Sequence, residues 1–208
     1  MAVGIATTTL AQIHVRIHGG PSFPSERHEE LTGAVSGLKK TGFIAGIIAE
    51  IPLKKTGLLV VGGFDVLYAE LTEEHKTYLA SNYGHDKFRE HFNVPILLGG
   101  SYRIPISGKL GFFGELQGGM NIFKVTTSAY MTEGRREFLR YRSSKKPAFK
   151  VAGGLVVSEK VTLGMSYYSL GKHRLRSLSD GSNTGRDIGG YDSAVMSEAV
   201  TMSFGVSF

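Results

Sequence analysis

The final residues of the chain alternate strictly between two kinds of side chain. Val200, Met202, Phe204, Val206 and Phe208 interleave with Ala199, Thr201, Ser203, Gly205 and Ser207. A period of two means a strand with one apolar face and one small, polar face. In a water-soluble sandwich the polar face would usually carry Lys, Glu or Gln. Here it carries hydroxyls and glycine, which suits the crowded inside of a narrow barrel. The same alternation recurs along the chain and predicts a transmembrane β-barrel, because only alternate residues of such a strand face lipid.

The pattern predicts eight strands, near 12–19, 41–53, 58–73, 88–104, 110–125, 148–157, 161–170 and the C-terminal segment. Phe43, Phe64, Phe92, Phe112, Phe149 and Phe204 fall on one continuous face, and the charges fall on the other. A lipocalin-like soluble barrel would require the opposite arrangement. Pro95 removes a ladder donor from the fourth strand, so a bulge is expected there. The short connections, 54–57, 105–109 and 158–160, alternate with long ones near 20–40, 74–87, 126–147 and 171–192. Outer-membrane barrels place short turns on the periplasmic side and long loops outside. An even strand number then leaves both termini periplasmic. The expected fold is therefore all-β, an eight-stranded antiparallel up-and-down barrel.

Composition agrees with one domain. The 208 residues include 28 Gly but 6 Pro, and no Cys or Trp. Without Cys there is no disulfide framework or thiolate metal site. No apolar run is long enough for a transmembrane helix. The opening segment MAVGIATTTLAQ is similar to the end of a secretory signal peptide, with small residues before Gln12. The expected organisation is a signal remnant over 1–11 and a barrel domain over 12–208.

Several segments together resemble the PorT-like outer-membrane β-barrel family of Bacteroidetes, barrels of the small OmpA/OmpX type. They are GFIAGIIAEIPL (42–53), GFDVLYAEL (63–71), HFNVPILLGGSY (91–102), GFFGELQGG (111–119) and the terminal VTMSFGVSF. The terminal strand also resembles the signal read by the barrel-assembly machinery, with polar Thr201 followed by Val206 and Phe208. The resemblance implies a fold, an outer-membrane location in a Gram-negative envelope and contact with that machinery. It supplies no catalytic motif, and it raises a role as an accessory to protein secretion.

Two groups of residues carry the functional expectations. The first is an interior charge cluster of His14, Arg16, Glu50, Asp65, Glu115 and Lys150, with His18 on the same face. Buried charges must pair, and Glu50 with Arg16 is the favoured pair because their strands are adjacent. Such a cluster either plugs the barrel and fixes its register or gates a narrow ion or proton path. The second group is basic and lies in the expected extracellular loops: Arg135, Arg136, Arg140, Arg142, Lys145 and Lys146, then Lys172, Arg174 and Arg176. Arginine binds phosphate bidentately, so lipopolysaccharide is the expected partner of these loops. Nucleic acid does not fit this topology.

The seven histidines form no compact ligand set, and no cofactor or metal is called for. His173 near Ser177, Ser179 and Asp180 is the one arrangement that suggests a rim enzyme acting on lipid, and such residues are common in any loop. The reading is a non-enzymatic, monomeric surface barrel. The alternatives are the narrow pore, the secretion accessory and the rim enzyme.

Overall fold

A computed structural model of the chain describes residues 13–28, 41–53, 56–83, 85–87, 90–126, 128–132, 135–141, 143–158, 160–179 and 192–208. The signal-like segment, Arg142 and Asp180 lie outside the described residues. In chain order the elements are β1 (His14–His28), β2 (Gly42–Pro52), β3 (Leu58–Ala69), α1 (Glu73–Tyr83), β4 (His85–Lys87), β5 (His91–Ser107), β6 (Leu110–Val125), β7 (Ser128–Thr132), β8 (Arg135–Tyr141), β9 (Ser144–Val157), β10 (Val161–Ser179) and β11 (Asp192–Ser207).

Eight of these strands close into a barrel in the order β1, β2, β3, β5, β6, β9, β10, β11, each antiparallel to its neighbours. The seam is made by β1 with β11, in register from Arg16↔Ser207 to His28↔Val195. Backbone bonds between Val15 and Phe208 extend it to the chain's end. No strand of the barrel is left with an open edge, as a membrane-spanning sheet requires.

Burial follows the alternation. Ile17, Phe43, Ile47, Phe64, Ile96, Leu98, Phe112, Leu116, Val151, Met165, Met202 and Phe204 are exposed on the outer wall. Arg16, Glu50, Asp65, Glu115, Gln117 and Lys150 are buried inside. This inverts the pattern of a soluble protein and is that of a barrel whose outer face meets lipid. Aromatic rings gather on the outer wall near the loop end. Phe43 lies against Tyr68 at 5.2 Å between centroids, Tyr68 against Phe92 at 5.1 Å, and Phe149 against Tyr167 at 6.0 Å. Such girdles sit at the membrane–water boundary.

The strands run further than the alternation indicates. β1 continues through Pro21 and Pro24 to His28, still paired with β11, whereas the sequence reading stops it at Gly19. β9 begins at Ser144 and β10 reaches Ser179, so Lys145, Lys146, Lys172, Arg174 and Arg176 lie on strands rather than in loops. Arg135, Arg136 and Arg140 also lie on a strand, β8, which forms a hairpin with β7. Beyond the lipid a strand need not alternate, so its charges read as loop. β3 ends at Ala69, before α1. Glu73 and Glu74 fill the first turn of α1, where carboxylates suit the helix dipole. A hydrogen bond from Lys76 to Glu73 holds that ammonium above the usual lysine range.

The bulge expected at Pro95 is absent. The β5–β6 register passes through Pro95↔Asn121 without a shift. On the β3 side the pairing skips from Phe64↔Ile96 to Leu67↔Asn93 and resumes in the same register. The missing donor interrupts the ladder locally without displacing it. A bulge does occur in β10, between Ser169 and Lys172, where Gly171 has φ +88°. The extra residue reverses which side chains point inward. Before it Ser166, Tyr168 and Leu170 are buried, and after it His173 is.

Candidate functional site: the barrel interior and its loop-end rim

The interior charges form one chain of alternating sign. Arg103 Nη2 lies 2.5 Å from Glu50 Oε2. Glu50 Oε1 lies 3.3 Å from Arg16 Nε, near enough to pair but off line for a hydrogen bond. Arg16 donates to Glu115 at 2.6 Å. Glu115 continues to Lys150 at 3.2 Å, and Lys150 to Asp65 at 3.5 Å. Asp65 meets His18 Nε2 at 3.0 Å and accepts a hydrogen bond from Tyr168 at 2.8 Å. Gln117 donates to Glu115 Oε1, the oxygen Lys150 also approaches, at 2.8 Å. Arg16 also faces the Phe113 ring, and Lys150 the Tyr168 ring, at 5.5 and 5.3 Å.

Three fixed cations thus meet three carboxylates, and every carboxylate touches at least two donors. Removing charges from water costs several kcal/mol per ion, so this full pairing is what makes burial tolerable. The groups come from β1, β2, β3, β5, β6, β9 and β10 and therefore cross-link nearly the whole wall. Space is made by small residues opposite. A Cβ on Gly46 would fall 2.7 Å from His18 Cε1 and 2.9 Å from the Phe64 carbonyl oxygen.

The structure brings Arg16, Glu50, Asp65, Glu115 and Lys150 together. His14 stands apart, half-buried at the turn-end mouth, in a cavity of about 320 Å³ shared with Glu50, Arg103, Lys109 and Ser207. Arg103 and Tyr168 are members that the sequence reading lacks. Arg103 sits just before the expected turn, where charges are common. Tyr168 follows outward-facing Tyr167, and the inward parity of β10 was the available signal.

Toward the loop end the interior becomes apolar. Ile44, Leu67, Leu97, Ala148, Leu170 and Ala199 pack with the Tyr168 ring. Above them lies a neutral polar layer. Asn121 donates to Asn93 at 2.7 Å and to the Leu170 carbonyl at 3.1 Å, and Asn93 donates to Ser197 at 3.3 Å. His173 belongs to this layer. Its Nε2 lies 2.8 Å from the Leu170 carbonyl, and its ring stacks on Phe123 at 4.7 Å. The sequence reading places His173 in a loop beside Ser177 and Ser179. Those residues instead pair with Tyr141 and Leu139 on the strand extension, while His173 is turned inside by the Gly171 bulge. The cavities recorded at the charge layer and beside Leu170 hold about 10 Å³ each, room for roughly one water molecule.

The residues of the terminal signal occupy different settings. Thr201 is buried inside, Val206 is half-buried, and Phe208 is 74% exposed at the turn end.

A closed wall of eight strands, greasy outside and charged inside, has counterparts among solved structures. The outer membrane protein AlkL, determined in DMPC lipid bilayers, is similar with a TM-score of 0.51 and 9% identity, over 100% of this chain and 97% of that one. This is the fold of the small outer-membrane barrels. Neisserial surface protein A is similar at TM-score 0.48 and 12% identity, covering 94% of this chain and 97% of the other. Ail of Yersinia pestis, in complex with the heparin analogue sucrose octasulfate, is similar at TM-score 0.49 and 13% identity, covering 95% and 99%. At such identities the likeness is one of fold alone. No family profile and no curated protein matches the sequence.

Proposed function

We propose that this chain is a non-enzymatic outer-membrane barrel whose work is done at its loop end, where it contacts lipopolysaccharide or an external partner. The observation that carries this reading is the contrast between the two parts of the molecule. The interior is filled by a paired charge chain and capped by an apolar layer. The loop end is elaborated, with α1, the β7–β8 hairpin, β4 and the extended β10 all projecting there. Paired interior charges with apolar packing above them favour a structural plug over a conducting path. In this reading the turn end and both termini face the periplasm, as is usual for such barrels.

The PorT-like motifs lie largely on β2, β3, β5, β6 and β11. They belong to the wall, and so speak for barrel architecture rather than for a secretion role. The basic residues of β8, β9 and β10 cluster at the projecting end, which is what a phosphate-rich outer leaflet would select.

The orientation is testable because the chain has no cysteine. Lys87 on β4 and Thr56 in a turn are both exposed and lie at opposite ends. A membrane-impermeant maleimide added to intact cells is expected to label a Lys87→Cys variant and to spare Thr56→Cys. The reverse pattern would overturn the orientation. Recovery of the unlabelled protein from the soluble fraction would overturn the membrane assignment.

A further inference from the structure

The outer wall changes character at one level on three neighbouring strands. Going toward the loop end, β6 presents Leu116, Met120 and Ile122 outward and then Lys124. β9 presents Val151, Phe149 and Pro147 and then Lys145. β10 presents Met165 and Tyr167 and, after the bulge, Lys172. All three lysines are exposed. On the other side the same level is aromatic, since Phe43, Tyr68, Phe92 and Lys124 are successive cross-strand partners. The girdle of this barrel is therefore uneven: rings stand at the level of Lys124 on β2, β3 and β5, whereas on β9 and β10 the rings of Phe149 and Tyr167 give way to Lys145 and Lys172 toward the loop end.

We propose that Lys124 and Lys145 form a binding site for one phosphate of a membrane lipid, of the kind carried by lipid A, with its acyl chains on the wall below. This rests on the surface reading above and gives it a location on the strands rather than in the loops. Lys145 is the partner of Ile122, so Lys124 is its diagonal neighbour on the same face. Diagonal side chains start about 7 Å apart, and flexible lysine stems let both ammonium groups reach oxygens of a single phosphate. A lone interfacial lysine needs no ligand, since it can extend to water by itself. Two lysines on diagonal positions bring two positive charges within reach of one anion, which a lone lysine does not.

The wall below suits the rest of such a lipid. Gly118 on β6, six residues below Lys124, leaves open space where a side chain would stand. Further round, an apolar groove of about 620 Å³ runs between Leu163, Met165, Met202 and Phe204 over a floor that includes Gly153. Phosphate at the lysines and hydrocarbon on the apolar wall of Ile122, Met120 and Phe149 below them make an amphipathic site with its polar end toward the loops. A soluble anion would use the first half of it and leave the second unfilled.

The test is lipid retention. The protein is placed in phosphatidylcholine vesicles doped with bisphosphorylated lipid A, extracted gently, and its bound lipid counted by native mass spectrometry. A second arm uses fully dephosphorylated lipid A. The Lys124→Gln/Lys145→Gln variant is compared with the parent, and with Lys124→Arg/Lys145→Arg to separate charge from shape. Each variant is first checked for the faster unboiled band of a closed barrel on SDS gels. The parent and the arginine variant are expected to retain phosphorylated lipid A, and the glutamine variant to lose at least tenfold of it. The dephosphorylated lipid should be retained by none. Equal retention by the parent and the glutamine variant would overturn the lysine site while leaving loop contacts in place. No preference for phosphorylated lipid in the parent would overturn both the site and the lipopolysaccharide reading beneath it.

Discussion

Glu115 is the best place to ask whether the interior charges hold the barrel together. Its side chain is 1% exposed and sits between two cations, Arg16 at 2.6 Å and Lys150 at 3.2 Å. Glu115→Gln keeps the size and shape and removes the charge. Arg16 would retain Glu50, and Lys150 would retain Asp65, but two buried cations and the half-buried Arg103 would then face two carboxylates. Removing one member of a buried pair typically costs about 3–5 kcal/mol. With a urea dependence of about 2 kcal/mol per molar, the unfolding midpoint should fall by roughly 1.5–2.5 M. The measurement is urea unfolding in lipid vesicles, followed by the fraction of protein running as the fast unboiled band. A second variant, Glu115→Gln/Lys150→Met, restores the balance at two cations and two carboxylates, and is expected to recover at least half of the lost stability. A Glu115→Gln midpoint shift equivalent to less than about 1 kcal/mol, the scale of exposed pairs, would refute the claim that this network is a desolvated unit. Failure of the double variant to recover would mean that Lys150 is needed for something other than charge balance.

Two further outcomes follow from the same geometry. Gly171→Val should destabilise the barrel by about 1–3 kcal/mol, because φ is +88° and a Cβ would fall 2.7 Å from that of Lys146 and 2.9 Å from the Pro147 carbonyl oxygen. It should also move the His173 ring resonances in an NMR spectrum, and an unchanged spectrum would show that the bulge does not position that ring. In planar bilayers the parent and Glu50→Gln should both be silent, since Ile44, Leu67, Leu97 and Leu170 still pack above the charges. Discrete conductance steps would sink the plugged interior and revive the pore.

The alternation of Val200 to Phe208 made the inside and outside of the wall legible, because lipid leaves little freedom in what faces it. The same constraint makes Arg16, Glu50, Asp65, Glu115 and Lys150 legible as inward-facing from the alternation alone. It stops where the lipid stops. β1 beyond Gly19 and β10 beyond Leu170 carry prolines, charges and hydroxyls, and there strand and loop have the same composition. The inward position of His173 is hidden for a different reason. A one-residue bulge inverts the parity of everything after it, and Gly171 is an unremarkable letter in a chain with 28 glycines. Lys124 is illegible in the sequence, because a single lysine at the end of an apolar strand means little without its neighbours across the sheet.

The seam between β1 and β11 joins the two extremes of the sequence, yet Arg16 on β1 reaches across to Glu115 on β6, 99 residues away. Until the seam shuts, Arg16 sits beside Glu50 on the adjoining strand, but Glu115 lacks one of its two cations. An open sheet of eight strands would therefore carry Arg16 and Glu115 apart and incompletely matched into the bilayer, and the hydrocarbon would resist it. Zipping the first strand to the last is thus coupled to neutralising the opposite wall. Partly closed forms are penalised twice, by their bare edges and by their unmatched charge, and assembly is driven toward one all-or-none event. A barrel built this way inspects its own completion.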